Sequence, residues 1–283
     1  MAFTRSKFAP AIVLALGAAV APAAAQEPPY PRTPSYADLV DLADRTPLVV
    51  RAQIRDQVVV EPGRAPGLAP GYARLYIEAR TSALIAGNAP LGESLRYLVD
   101  VPLDAKGKPP KLKKQDVILF ARPVPGKPGE IQLVGPRAQL SYSPALEARL
   151  RPILAALVAS NAPPRVTGVR DALAVPGTLV GESETQLFLD TENDGPVSLT
   201  VTRRPNMAPV WGVSWTEIVD QSARPPQPQS LAWYRLACAL PPELPADASI
   251  ARDSRSQALA ARDYAFVIEQ LGPCTRVLGG NGN

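Results

Sequence analysis

Period-two alternation is the feature that most restricts how this chain folds. Val50, Ala52 and Ile54 alternate with Arg51, Gln53 and Arg55. Ala73, Leu75, Ile77 and Ala79 alternate in the same way with Arg74, Tyr76, Glu78 and Arg80. Only an extended strand sends successive side chains to opposite faces, so each run reads as a half-buried β-strand. Leu95, Tyr97, Val99 and Val101 predict a third strand. The unbroken apolar run Val117–Phe120 predicts a strand covered on both faces, and Ile131–Val134 predicts a fifth. Five strands with long members suggest a small closed or nearly closed barrel, OB-like in size.

Helix signals flank these strands. Ser35 reads as an N-cap, with Asp38 three positions on as a capping box, and Tyr36, Leu39, Val40 and Ala43 share one face. Thr46-Pro47 ends that helix. Ser143-Pro144 starts another, striped by Leu146, Leu150, Ile153, Leu154, Leu157 and Val158, with Pro152 expected to kink it. Asn161-Ala-Pro-Pro164 breaks the chain and marks a domain boundary. Beyond it, Leu187 and Leu189, then Val197, Leu199 and Val201, then Trp211, Val213 and Trp215 repeat the strand pattern, with Asp194-Gly195 as a turn. Leu231–Cys238 reads as helical, and Ala260, Tyr264, Val267 and Leu271 stripe a last helix that Gly272-Pro273 terminates. The fold class is therefore α+β. An OB-like β-barrel domain with flanking helices is expected over 35–160, an antiparallel sheet plus helices over 165–278, and a flexible tail over 279–283.

The N-terminal segment 1–25 carries Arg5 and Lys7, the short apolar run Ala11–Leu16, and then Ala23-Ala24-Ala25. That order is a secretory signal peptide cut after Ala25 and places the mature chain in the periplasm or outside the cell. No later stretch is long and apolar enough for a transmembrane span. Residues 26–34 form a Pro-rich leader. The 33 prolines among 283 residues are about twice the usual share. Many fall in turn-rich inserts such as Pro62-Gly63, Pro66-Gly67 and Pro70-Gly71. Cys238 and Cys274 are the only cysteines, and an even pair in an exported chain reads as a disulfide.

The chain has no histidine, which removes Ser-His and Cys-His nucleophile activation and every imidazole metal site. No metal and no cofactor is expected. The remaining catalytic candidates are carboxylates: Glu182, Glu184 and Asp190 fall on one side of a strand, the alternative being a solvated strand face. Beyond Lys7 every lysine lies between Lys106 and Lys127. Lys106, Lys108, Lys111, Lys113 and Lys114 form a cationic loop suited to an anionic envelope component, or else a solvated hairpin. Trp211 and Trp215 are candidates for a stacking platform, the alternative being core packing. Arg203-Arg204 is expected at the surface. A net charge of +4, two units of it from Arg5 and Lys7, gives no argument for a nucleic-acid partner.

Gly181-Glu-Ser-Glu-Thr-Gln186, Trp233-Tyr-Arg-Leu-Ala-Cys238 and Leu271-Gly-Pro-Cys274 resemble an uncharacterised family of exported proteins of Gram-negative bacteria. That resemblance covers the C-terminal half and implies no activity. The N-terminal half resembles the OB-like barrels of netrin- and metalloproteinase-inhibitor-type modules, without their cysteines. The expected function is a non-enzymatic binding or interaction module for an envelope component or a periplasmic protein. A His-free hydrolase built on the carboxylates of 182–190 is the alternative.

Overall fold

A computed structural model describes residues 33–88, 91–216 and 223–279. The expected signal peptide, the leader up to residue 32 and residues 280–283 lie outside them. The described residues form ten strands and four helices. The first half runs α1 (Tyr36–Ala43), β1 (Leu48–Val59), β2 (Tyr72–Ala86), β3 (Ser94–Pro102), β4 (Asp116–Pro123), β5 (Ile131–Leu133), β6 (Gln139–Ser141) and α2 (Pro144–Leu157). The second runs β7 (Val166–Pro176), β8 (Ser183–Thr191), β9 (Val197–Arg203), β10 (Val210–Ser214), α3 (Leu231–Ala237) and α4 (Ser254–Leu271). The architecture is α+β with two antiparallel sheets.

The first sheet has the order β3-β2-β1-β4-β5, with β6 beside β4. It is open, not the closed barrel expected from five strands. Closure needs β3 to pair with β5, and β5 has three residues, too few for a ladder on both sides. The two edges meet at one isolated parallel bridge, Arg96↔Glu130, where the Arg96 N–H donates to the Gly129 carbonyl at 2.8 Å. One face of the sheet buries Leu75, Ile77, Leu95, Val99, Val117 and Leu119. The other face of β1 and β4 presents Val49, Ile118 and Phe120 to α1, α2 and Leu231 of α3. Burial on both faces is why 117–120 is unbroken apolar sequence.

The second sheet has the order β10-β9-β8-β7 and is covered by α4, whose Ala260, Tyr264, Val267 and Leu271 enter its core. Alternation locates β8, β9 and β10 but misses β7. Register shifts between Val166 and Gly168 and between Val169 and Asp171 put its alternation out of phase. The outer edge of β7 is capped at Ala172, which donates to Ala248 at 2.7 Å and accepts from Ile250 at 3.2 Å. That capping blunts a free edge. α2 runs through Pro152, which leaves the Ala148 carbonyl without its helical donor. Gly272 closes α4 at φ 69°, a left-handed geometry that glycine adopts without strain. The disulfide Cys238–Cys274 is formed, with Cα atoms 5.1 Å apart, and ties the end of α3 to the end of α4.

α1 holds the C-terminal half through an acidic face. Asp38, Asp41 and Asp44 recur every three residues, so they line one side of the helix and its C-cap. Asp38 completes the capping box with Ser35 and also accepts the backbone N–H groups of Val277 (2.9 Å) and Leu278 (3.1 Å). Asp41 accepts from the Tyr234 hydroxyl and from Arg276 Nε at 2.6 Å. Asp44 accepts from Arg165 Nε and Arg235 Nη1, both at 2.8 Å. Burial works to raise the Asp44 carboxyl, but the hydrogen bonds and charges of Arg235 and Arg165 outweigh it and hold the group below the usual carboxylate range. Burial, with the Asp41 carboxylate beside it, pushes the Tyr234 hydroxyl up to about 12.

Candidate functional site

The lysine loop connects β3 to β4 and is pinned rather than loose. Leu112 is buried in the first core. The Gln57 side chain clamps the loop, donating to the Pro110 carbonyl at 2.9 Å and accepting the Leu112 N–H at 2.5 Å. Asp104 accepts the backbone N–H groups of Lys106 (2.9 Å) and Lys108 (2.8 Å). Lys106, Lys108, Lys111, Lys113 and Lys114 are all exposed. Lys113 lies 3.4 Å from Asp56, a solvated pair that contributes little to stability. The loop therefore presents a cationic surface on a fixed backbone.

Glu182 and Glu184 line one cavity, but Asp190 does not join them. Glu182 lies outside β8 and caps the β7–β8 turn, where its Oε2 accepts the Leu179 N–H at 3.2 Å and its side chain packs over Gly177. A Cβ at Gly177 would lie 2.4 Å from that side chain, so any larger residue there displaces the Glu182 carboxylate from its place over the turn. Glu184 is exposed and accepts from Gln186 Nε2 at 3.0 Å. Asp190 stands opposite Gly168, six positions along the strand from Glu184, a run of roughly 20 Å. That separation exceeds the spacing of an acid–base carboxylate pair.

The tryptophans are packing residues in this conformation. Trp211 is 6% exposed in the second core, and Trp215 is half-buried against the same cluster. Trp233 donates its indole N–H to the Leu271 carbonyl at 2.8 Å and meets Tyr36 edge-on at 6.2 Å.

The feature that sequence reasoning missed is the seam of the first sheet. A cleft of about 590 Å³ opens there, lined by Arg74, Tyr76, Arg96 and Leu98 on one side and by Glu130 and Gln132 on the other. The cross-strand pairs Arg74↔Asp100 and Tyr76↔Leu98 put these side chains on the outer face. Arg74 and Asp100 form a bidentate pair at 2.7 and 2.8 Å, which fixes one wall. Leu98 is 49% exposed beside it. Because the Arg96 N–H points away from β2, so do the main-chain groups of Leu98 and Asp100. Among the described residues neither belongs to a ladder on that side. The alternation of β3 carried this signal only halfway, since it located the strand without showing that its neighbour stops after three residues.

Among the described residues no cluster of three or more Cys, Asp or Glu groups is placed to hold a metal ion, and no helix is long and apolar enough to cross a membrane. No protein-family model matches the chain, and no curated protein matches it either.

Proposed function

We propose that this chain is an exported, non-enzymatic binding module whose first sheet captures an extended segment of a protein partner at the β3 seam. One observation carries the reading: β3 turns the main-chain groups of Leu98 and Asp100 into a cleft where, among the described residues, no strand pairs with them. An extended peptide supplies the complementary N–H and C=O groups. Tyr76, the exposed Leu98, Arg96 and Glu130 offer apolar and charged sites to its side chains. The signal-like segment 1–25 supports export. The strand order, with its lone parallel bridge, supports describing the first sheet as an OB-like barrel left open at one seam. Kinship with exported Gram-negative proteins belongs to the same proposal and rests on 181–186, 233–238 and 271–274.

The test is selection of displayed dodecapeptides on the immobilised protein, followed by hydrogen exchange with a selected peptide. Protection of the Leu98 and Asp100 amides is expected. Leu98→Pro removes only an outward-facing donor, which an edge strand tolerates, and should weaken peptide binding at least about tenfold. Equal binding by Leu98→Pro, or protection confined to other strands, refutes strand addition at this seam.

A further inference from the structure

The end of the second sheet that carries the β7–β8 and β9–β10 turns gathers cations around a second cavity. The register Ser183↔Arg203 brings the start of β8 and the end of β9 together there. The cavity, about 490 Å³, is lined by Arg203, Arg204, Arg255 and Arg262, with Glu182 and Met207. Their charges are poorly balanced. Asp263 is fully buried and is committed to Arg203 and the Thr185 hydroxyl. Arg262 stands 3.8 Å from that same carboxylate with its side chain 55% exposed. Glu182 is engaged by the turn it caps. Arg204 and Arg255 are exposed, and neither forms an ion pair among the described residues. The Ser183 hydroxyl, in a residue only 4% exposed that lines the same cavity, has no hydrogen-bond partner among the described residues. Arg255 and Arg262 come from the first half of α4, whose N-terminus is capped by the Asp253 carboxylate, which accepts the Ser256 N–H at 2.8 Å.

Beside these cations the two turns expose apolar side chains. Leu179 is 60%, Val180 97% and Met207 63% exposed. Projecting apolar side chains set among exposed guanidiniums, those of Arg204 and Arg255 without an ion pair among the described residues, suit an anionic membrane surface, which offers phosphates at headgroup level and hydrocarbon just beneath. A soluble phosphate would use the arginines and leave the apolar tips without a role.

We propose that this end of the second sheet is a peripheral membrane-binding face, in which Arg204, Arg255 and Arg262 take the phosphates of anionic phospholipids while Leu179, Val180 and Met207 enter the interface. It is separate from the β3 seam and does not depend on it. The experiment is co-sedimentation of the purified chain with vesicles of phosphatidylglycerol and phosphatidylcholine in equal proportion, against phosphatidylcholine alone. Variants sharing its N-terminus are compared with it, so any contribution of that segment cancels.

Wild type should prefer the anionic vesicles. Arg204→Gln/Arg255→Gln should bind them about 25-fold more weakly, each basic residue near the surface counting for about fivefold. Leu179→Ser/Val180→Ser should also lose vesicle binding, yet still show the glycerol 3-phosphate shifts of wild type by NMR. Leu98→Pro should bind vesicles as wild type does, which separates this face from the peptide cleft. The proposal is overturned if wild type ignores lipid charge or if the arginine pair binds unchanged. It is overturned equally if the serine pair binds vesicles as well as wild type, for then headgroup phosphates alone hold the vesicle and the apolar side chains do not enter the interface.

Discussion

Asp44→Asn is the substitution that most directly tests how the two halves are joined. Asp44 sits at the C-cap of α1 and neutralises two arginines of unequal burial. The Arg235 side chain is 8% exposed and that of Arg165 42%. The Arg165 arm is therefore a near-surface pair worth about 0–1 kcal/mol. The Arg235 arm differs, because removing its counter-charge leaves a buried guanidinium unpaired, a loss of about 3–5 kcal/mol when nothing replaces it. Asparagine keeps the shape and one acceptor, so the expected destabilisation at neutral pH is about 2–3 kcal/mol. In a urea titration that is a midpoint shift of about 1 M. The pH dependence follows from the lowered Asp44 pKa. A carboxyl held below its unfolded value stabilises the fold above that value, about 4, and loses the contribution as pH falls through the folded pKa. The gap between wild type and Asp44→Asn should thus be full at pH 7, narrow as pH falls below about 4 and close only below the folded pKa, where both side chains are neutral. Pairing Asp44→Asn with Arg235→Met should cost less than the sum of the single changes by about 1–2 kcal/mol. A neutral-pH effect below about 0.5 kcal/mol, or a gap that persists in acid, refutes this account of the joint.

Two further outcomes concern the staple and the loop. Replacing Cys238 and Cys274 by alanine reopens a loop with a sequence separation of 36, and urea unfolding should show a loss of up to about 4 kcal/mol. Reductant should then leave the variant's transition unmoved while shifting that of wild type. Leu112→Ala removes the buried anchor of the lysine loop and should destabilise the fold by about 2–5 kcal/mol, with amide exchange accelerating first between residues 104 and 115.

Local chemistry in the sequence matches the structure where a single element decides its own form. The Ser35/Asp38 box, the Ser143-Pro144 start of α2 and the Gly272 stop of α4 stand as their residues imply. The long strands follow from alternation, and the disulfide from the cysteine count. What eluded that reading depends on distance along the chain. β7 was hidden because its bulges break the phase. Barrel closure failed because β5 is short, which no property of β3 reveals. Arg203-Arg204, expected at the surface, divides in role: Arg204 is exposed, while Arg203 turns to the buried Asp263. The arginine cavity joins residues about fifty positions apart, and neither member advertises the other. The three-residue spacing of Asp38, Asp41 and Asp44 was visible, but spacing alone does not separate a solvated helix face from one that binds the far half of the chain.

That acidic face also sets when folding can finish. α1 leaves the ribosome early, yet the groups that satisfy Asp38, Asp41 and Asp44 follow between 121 and 240 residues later. Until residues 277 and 278 are free, the helix lacks its latch and Leu39 and Val40 lack part of their cover. Contacts of such long range form slowly and late. That order of synthesis leaves the joint between the two halves incomplete until the C-terminus is made. It also makes the last turn of the sequence, not the first, the step that commits the chain to its native state.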